Sequence, residues 1–300
     1  MERSDVEGLT GGRRSTAVEL RPGRRDDAEV CGRICYEAFS GIADTHGFPS
    51  DFASLQVGLD VASEMLAHPQ IYAVVAEIDG HVVGCNFLDE RSAIVGVGPV
   101  GVDPAVQNRG VGRALMLDVL RRATDRRAAG VRLLQSAYHS RSLSLYASLG
   151  FTARDVLACM NGTPPTGRIP GRQVRPATTG DLEACAAACR RVHGHDRTAE
   201  LADAIAQGAG LVVEHDGRIS GYASDLGFTG HAVGESDADI EALILAADAF
   251  HGSGILVPIT NGELFRWCLA HGLHVVHTMT LMSIGLYTTP RGAYLPSVQF

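Results

Sequence analysis

The chain has no run of apolar residues approaching the length of a membrane span, and its polar opening, Met1 to Thr16, lacks the apolar core of a secretory signal. Neither a spanning helix nor a leader is therefore expected, and residues 1–17 read as a disordered tail. Positive charge is also in short supply: 26 basic residues face 34 acidic ones, for a formal net charge of −8 over 300 residues. That balance argues against nonspecific nucleic-acid binding and fits a cationic partner steered in by the field of the protein. Metal-type spacing is missing too. The seven cysteines (31, 35, 85, 159, 185, 189 and 268) contain no Cys-x-x-Cys pair, so no metal is expected, and reduced thiols in a cytoplasmic protein are. Cys31 and Cys35, like Cys185 and Cys189, lie one helical turn apart and read as small buried apolar residues.

Two familiar phosphate-binding spacings are absent as well, G-x-G-x-x-G and G-x-x-x-x-G-K-[ST]. In their place stands Gln107-Asn108-Arg109-Gly110-Val111-Gly112, between a strand expected over 93–102 and a long amphipathic helix. Asp103-Pro104 ends the strand, because proline cannot donate to a ladder. Val111, Ala114, Leu115, Val119, Leu120 and Ala123 then share one helical face. This order leaves unpaired N–H groups at the helix start, where the macrodipole also favours an anion. Arg109 and Arg113 oppose that dipole by about 0.3–1 kcal/mol each unless an anion sits there. The segment reads as a phosphate cradle.

The flanking segments add a hairpin over 71–88 turned by Asp79-Gly80, a strand over 131–136 and a helix over 141–148 closed by Gly150-Phe151. Val102-Asp103-Pro104 followed by Gln107, Gly110 and Gly112 resembles the acetyl-CoA signature of the GNAT N-acetyltransferase superfamily, Q/R-x-x-G-x-G/A after a V-x-P strand end. Tyr146-Ala147-Ser148-Leu149-Gly150-Phe151 resembles the Tyr-x-x-x-Gly-Phe of the same family. The resemblance implies an α/β fold with a mixed sheet, and acetyl-CoA as co-substrate. It also implies a primary amine acceptor, small molecule or peptide, attacking directly in a ternary complex.

Carried over position by position, the resemblance gives the pyrophosphate to Gln107, Asn108, Arg109, Gly110, Val111, Gly112 and Arg113. The pantetheine arm falls to the backbone of Val100, Gly101 and Val102, and the general acid to Tyr146. His139 stands where the family usually has an asparagine touching the cofactor arm. For the general base Glu90 comes first, with Asp89, His46, the terminal carboxylate of Phe300 and a water chain as alternatives. A sensor that binds acyl-CoA without turnover is the alternative function, and a homodimer is compatible with either.

The pattern is written twice. Val18-Glu19-Leu20-Arg21-Pro22 leads to Asp27, Glu29, Cys31 and Cys35, and Gln173-Val174-Arg175-Pro176 leads, at a constant offset, to Asp181, Glu183, Cys185 and Cys189. The expected organisation is a catalytic domain over 18–161, a Gly/Pro-rich linker over 162–172 and a second, degenerate GNAT-like domain over 173–300. In the copy, Glu235-Ser236-Asp237-Ala238-Asp239-Ile240 replaces the cradle, and acids in a first helical turn repel an anion. Coenzyme A is therefore expected in the first half alone.

Overall fold

The computed structural model describes residues 17–299. The expected tail, apart from Ala17, and the carboxylate of Phe300 lie outside the described residues. In the first half, β1 (Glu19–Pro22) leads to α1 (Ala28–His46), α2 (Leu55–Ala67), β2 (Ile71–Ile78), β3 (His81–Asp89), β4 (Ile94–Val97) and β5 (Gly101–Val102). Then come α3 (Val111–Asp125), β6 (Gly130–Ser136), α4 (Ser140–Ser148) and β7 (Thr152–Asn161). The second half opens with β8 (Gln173–Pro176), α5 (Leu182–His193), α6 (Thr198–Ala206), β9 (Leu211–His215), β10 (Arg218–Ala223) and β11 (Ala232–Gly234). It ends with α7 (Asp237–Leu245), β12 (Ile255–Pro258), α8 (Gly262–Ala270), β13 (His274–Gly285) and β14 (Ala293–Leu295).

The sequence repeat has a physical counterpart. Arg21 donates from both terminal nitrogens to Asp27 at 2.8 Å and from Nε to Glu77 at 2.8 Å. Arg175 does the same to Asp181 at 2.8 Å and to Glu214 at 2.9 Å. In each copy one guanidinium ties the first strand to the start of the first helix and to the neighbouring strand, a bidentate geometry that lysine cannot supply. The four cysteines on the matching helix faces are buried.

The two halves do not keep separate sheets. The larger sheet has nine strands in the order β1-β2-β3-β4-β6-β13-β7-β12, with β5 beside β3, and the smaller runs β14-β11-β10-β9-β8. Strand β13 of the second half enters between β6 and β7 and is antiparallel to both, with Met279 opposite Ser136 and also opposite Leu157. Strand β12 then covers the outer edge of β7. The sequence division at 161 and 173 therefore does not coincide with the division between sheets. Helices α3 and α4 cover one face of the large sheet through Leu115, Val119, Tyr146 and Phe151 against Val95, Val97 and Leu133. The opposite face carries α1 and α2 over β2 and β3 and, further along, the second half, where Leu134 meets Phe228, Met279 and Leu281. Among the described residues no helix is long and apolar enough to cross a membrane.

Candidate active site

The strand expected over 93–102 is broken at Gly98-Pro99 into β4 and β5, and the break shapes the site. Strand β4 pairs in parallel with β6 only over Ile94 to Gly96, against Gly130 to Arg132. Beyond that point the chain stays with β3, where Gly101 lies opposite Cys85 and Val102 opposite Gly84. The ladder to β6 has ended, so a split opens between residues 97–102 on one side and 133–136 on the other. A missing ladder leaves main-chain groups on that edge for another partner. Val100, Gly101 and Val102, the residues named for the pantetheine arm, lie along the stretch that pairs with β3 and not with β6.

The glycine at 101 has a different cause from the one its place in a strand suggests. A β-carbon there would come within 2.9 Å of Cys35 Sγ, so the glycine admits α1 against the back of the strand. Gly110 is the residue that the loop itself demands. It caps α3 with φ of 85°, in the left-handed region, and no side chain satisfies the first N–H groups of the helix. Gly112 is less constrained, since an added β-carbon meets only Leu145 and Val102 at 3.7 Å.

Around this helix start the cationic side chains are all arginines. Arg109 and Arg113 are exposed, and Arg113 donates to Ser148 Oγ at 3.0 Å. Arg141, which the sequence analysis did not single out, donates to Gln107 Oε1 at 2.8 Å and to Asn108 Oδ1 at 3.2 Å. It tethers the loop to α4. Gln107 in turn donates to the carbonyl of Val102 at 3.1 Å, joining loop and split. Val111 is buried in the core beneath.

Tyr146 points inward from α4 among Val95, Val97 and Leu133, at the face of the split covered by α3 and α4. Burial pushes its phenol up to about 12, so it holds its proton throughout the neutral range. His139 sits at the N-cap of α4, with Nε2 buried and without a hydrogen-bond partner. Burial, then Arg141 and His46, bring its pKa down to about 4. A neutral imidazole can both donate and accept a hydrogen bond.

The acidic candidates lie elsewhere. Glu90 accepts from Arg122 Nε at 2.8 Å and pairs with Arg126 at 3.1 Å, both near the C-terminal end of α3, the end opposite the cradle. Asp89 is held by Arg91, which also reaches Asp203 of α6 at 2.8 Å and so joins the two halves. His46 is exposed, 5.4 Å from the Tyr138 ring. Gln299, next to the undescribed Phe300, contacts Met65 Sδ of α2 at 3.8 Å.

Sequence reasoning missed a buried pair on the other face of the split. Asp51, between α1 and α2, places Oδ1 3.6 Å from Nε2 of His277 on β13, and Ser136 Oγ lies 3.5 Å from its other oxygen. Their side chains are 4% and 0% exposed. Asp51 Oδ1 and both nitrogens of His277 have no hydrogen-bond partner. Burial lifts the carboxyl of Asp51 to about 6, against the hydroxyl of Ser136, and lowers the pKa of His277. No local signal could have joined them, because they belong to different halves.

In the second half the corresponding helix start is sealed from within. Asp239, in the first turn of α7, accepts from Arg172 Nε at 2.6 Å, Ser220 Oγ at 2.7 Å, and the backbone N and hydroxyl of Ser236 at 2.9 and 2.8 Å. A carboxylate already satisfies the dipole there. The matching edge is closed as well, since β14 pairs with β11. Among the described residues no group of three or more His, Cys, Asp or Glu side chains could hold a metal. A groove of about 620 Å³, lined by Leu20, Tyr72, Leu117 and Arg121, runs along the outer side of α3 away from these groups.

A split between parallel strands, a glycine-capped helix at its mouth and a tyrosine buried behind it define the class of GNAT acyltransferase folds. Residues 69–153 match the family model described as an acetyltransferase (GNAT) domain, and the chain carries that domain there. A mycothiol acetyltransferase of Thermomonospora curvata is 37% identical over 92 residues, 30% of this chain and 31% of the relative. A second, of Nocardia farcinica, is 38% identical over 76 residues, 25% of each. The match thus spans a third or less of these relatives. A GCN5-related N-acetyltransferase structure from Sphaerobacter thermophilus covers 92% of this chain and 98% of its own, with a TM-score of 0.61 and 19% identity. A provisionally assigned acetyltransferase from Pyrococcus horikoshii covers 97% and 98%, with a TM-score of 0.71 and 17% identity. At these identities the likeness is one of fold.

Proposed function

We infer that the first half transfers an acetyl group from acetyl-CoA to a primary amine by direct attack in a ternary complex. The observation that carries this reading is the split itself. The unpaired edge over 97–102 suits a pantetheine arm, and it leads to the amides of α3 and to Arg109 and Arg113, which suit a pyrophosphate. Tyr146 is the acid that protonates the departing thiolate, and His139 takes the place of the family's asparagine on the cofactor arm. The second half binds no coenzyme A, because Asp239 occupies the place of the anion. The mycothiol acetyltransferase relatives overlap the chain too briefly to carry their acceptor across.

Acetyl-CoA titrated by calorimetry should bind at one site per chain, and a panel of amines should release free thiol. Binding without release from any amine would favour an acyl-CoA sensor. No binding at all would sink both readings.

A further inference from the structure

The buried pair beneath the split remains unused by the reading above, and its surroundings resemble an acceptor subsite. Side chains alternate along β6, so Val131 and Leu133 face Tyr146 while Leu134 and Ser136 face the other way. Asp51 and His277 join Ser136 on that second face. Tyr146 on one face and the buried pair on the other could hold sulfur and nucleophile in orientation between them, as a ternary complex needs.

The walls are aromatic. Phe48 stacks on Tyr138 with centroids 4.6 Å apart, and Phe48, Tyr138 and Phe228 stand 6.3, 6.0 and 6.4 Å from the His277 ring. Three buried polar atoms are left unpaired among these rings, and burying them is unfavourable unless a ligand or water meets them. The titratable groups around the pair are His46 at the end of α1, Tyr138 and His139 after β6, and Cys159 on β7. Burial and the hydroxyl of Ser136 are what set the carboxyl of Asp51.

We propose that His277 and Asp51 form an acceptor subsite shared between the two halves. It takes a primary ammonium carried on an aromatic or apolar group, with His277 as the base and Asp51 as the positioning residue that holds it. The proposal rests on the acetyl-transfer reading for its chemistry. With the acceptor bound, Asp51 closes the 3.6 Å gap and accepts from Nε2–H, and Nδ1 removes one proton from the ammonium. The nitrogen lone pair attacks the thioester carbonyl, forming the C–N bond. The C–S bond then breaks, and its electron pair stays on sulfur. Sulfur takes the Tyr146 proton, and Tyr146 regains one from the nitrogen, which becomes the amide. The proton on His277 leaves to solvent, so an ammonium and a thioester give an amide, a thiol and one proton.

The test compares wild type, His277→Gln and Asp51→Asn, with 2-phenylethylamine and with putrescine as probes. Removing the base should lower kcat for 2-phenylethylamine by about 100-fold or more, leave acetyl-CoA affinity unchanged, and abolish the acidic limb of the kcat/KM profile. Asp51→Asn should shift that limb and Asp51→Glu should recover part of the shift, which a purely structural carboxylate would not do. Wild type should prefer 2-phenylethylamine to putrescine. Wild-type turnover and an unchanged pH profile in both variants would overturn the proposal.

Calorimetry of 2-phenylethylamine with the coenzyme A complex separates the two readings. Binding that is lost in Asp51→Asn supports the subsite even if wild type never turns over, in which case only the transfer reading fails. Equal binding by wild type and Asp51→Asn, or none by wild type, overturns the subsite.

Discussion

His277, on a strand of the second half, lies 3.6 Å from Asp51, in the loop between the first two helices of the first. Two weakly partnered ionisable groups are thus held among aromatic side chains by a strand crossing from one half into the sheet of the other. Such a contact destabilises the fold when charged, and this gives a measurable pH signature.

For Asp51 the folded pKa, about 6, lies above the ordinary 3.8. The contribution of this group is therefore fully present below pH 3.8 and is lost as pH rises through about 6. Relative to Asp51→Asn, the wild type should lose roughly 2–3 kcal/mol across that window. Urea denaturation at pH 4.5 and pH 7.5 checks this: the variant should be the more stable protein at pH 7.5, with the gap closing at the lower pH.

Tyr146→Phe keeps the ring against Phe151, 6.1 Å away, and removes only the hydroxyl. Turnover should fall by about 100-fold or more while the dissociation constant for acetyl-CoA stays within about twofold. Calorimetry beside steady-state kinetics would show this split. Equal losses in both would remove Tyr146 from the acid role.

At the helix start, Gly110 and Gly112 should respond differently. Alanine at 110 must adopt a φ of 85°, costing about 1 kcal/mol or more and tilting the amides that meet the phosphate. Alanine at 112 finds only ordinary contacts. Gly110→Ala should weaken acetyl-CoA binding several-fold and lower Tm, and Gly112→Ala should do neither. The comparison needs only a thermal-shift series against ligand concentration.

Glu90→Gln tests the carboxylate that the sequence favours as base. The substitution strips the partner from Arg122 and Arg126, which are 40% and 47% exposed. The expected cost is on the order of 1–2 kcal/mol. The pH profile of kcat/KM should keep its shape, and an acidic limb lost in this variant would return the base role to Glu90.

Because β13 lies between β6 and β7, a chain ending at residue 172 should fail to give a stable first domain. It should be recovered by co-expressing residues 173–300 as a separate chain. Solubility and hydrogen exchange of the β6 and β7 amides are the readouts. A protected, monomeric fragment would show that the sheet closes without its central strand.

What the sequence made legible was local. The helix after Gly110, the hairpin over Asp79-Gly80 and the paired Arg-Pro turns each follow from a few consecutive residues. The repeated network of Arg21 with Asp27 and of Arg175 with Asp181 grows directly from the last of those patterns. Contacts between distant elements were hidden. Glu90 looks like a free carboxylate at a strand end until α3 lays Arg122 beside it. Nothing around Gly101 in the sequence says that α1 will bring Cys35 to its back. His277 looks like one more alternating strand residue, because nothing in its own segment says that β13 inserts beside Ser136.

That insertion also sets a timetable. A ribosome delivers β6 and β7 long before it delivers β13, so the emerging first half carries two neighbouring bare strand edges until Gly285 has left the exit tunnel. During that interval the nascent chain can be stuck to another copy or shielded by a chaperone, but it cannot finish its own sheet. The order of synthesis thus makes closure of the first half's sheet wait for a strand that follows it by more than a hundred residues.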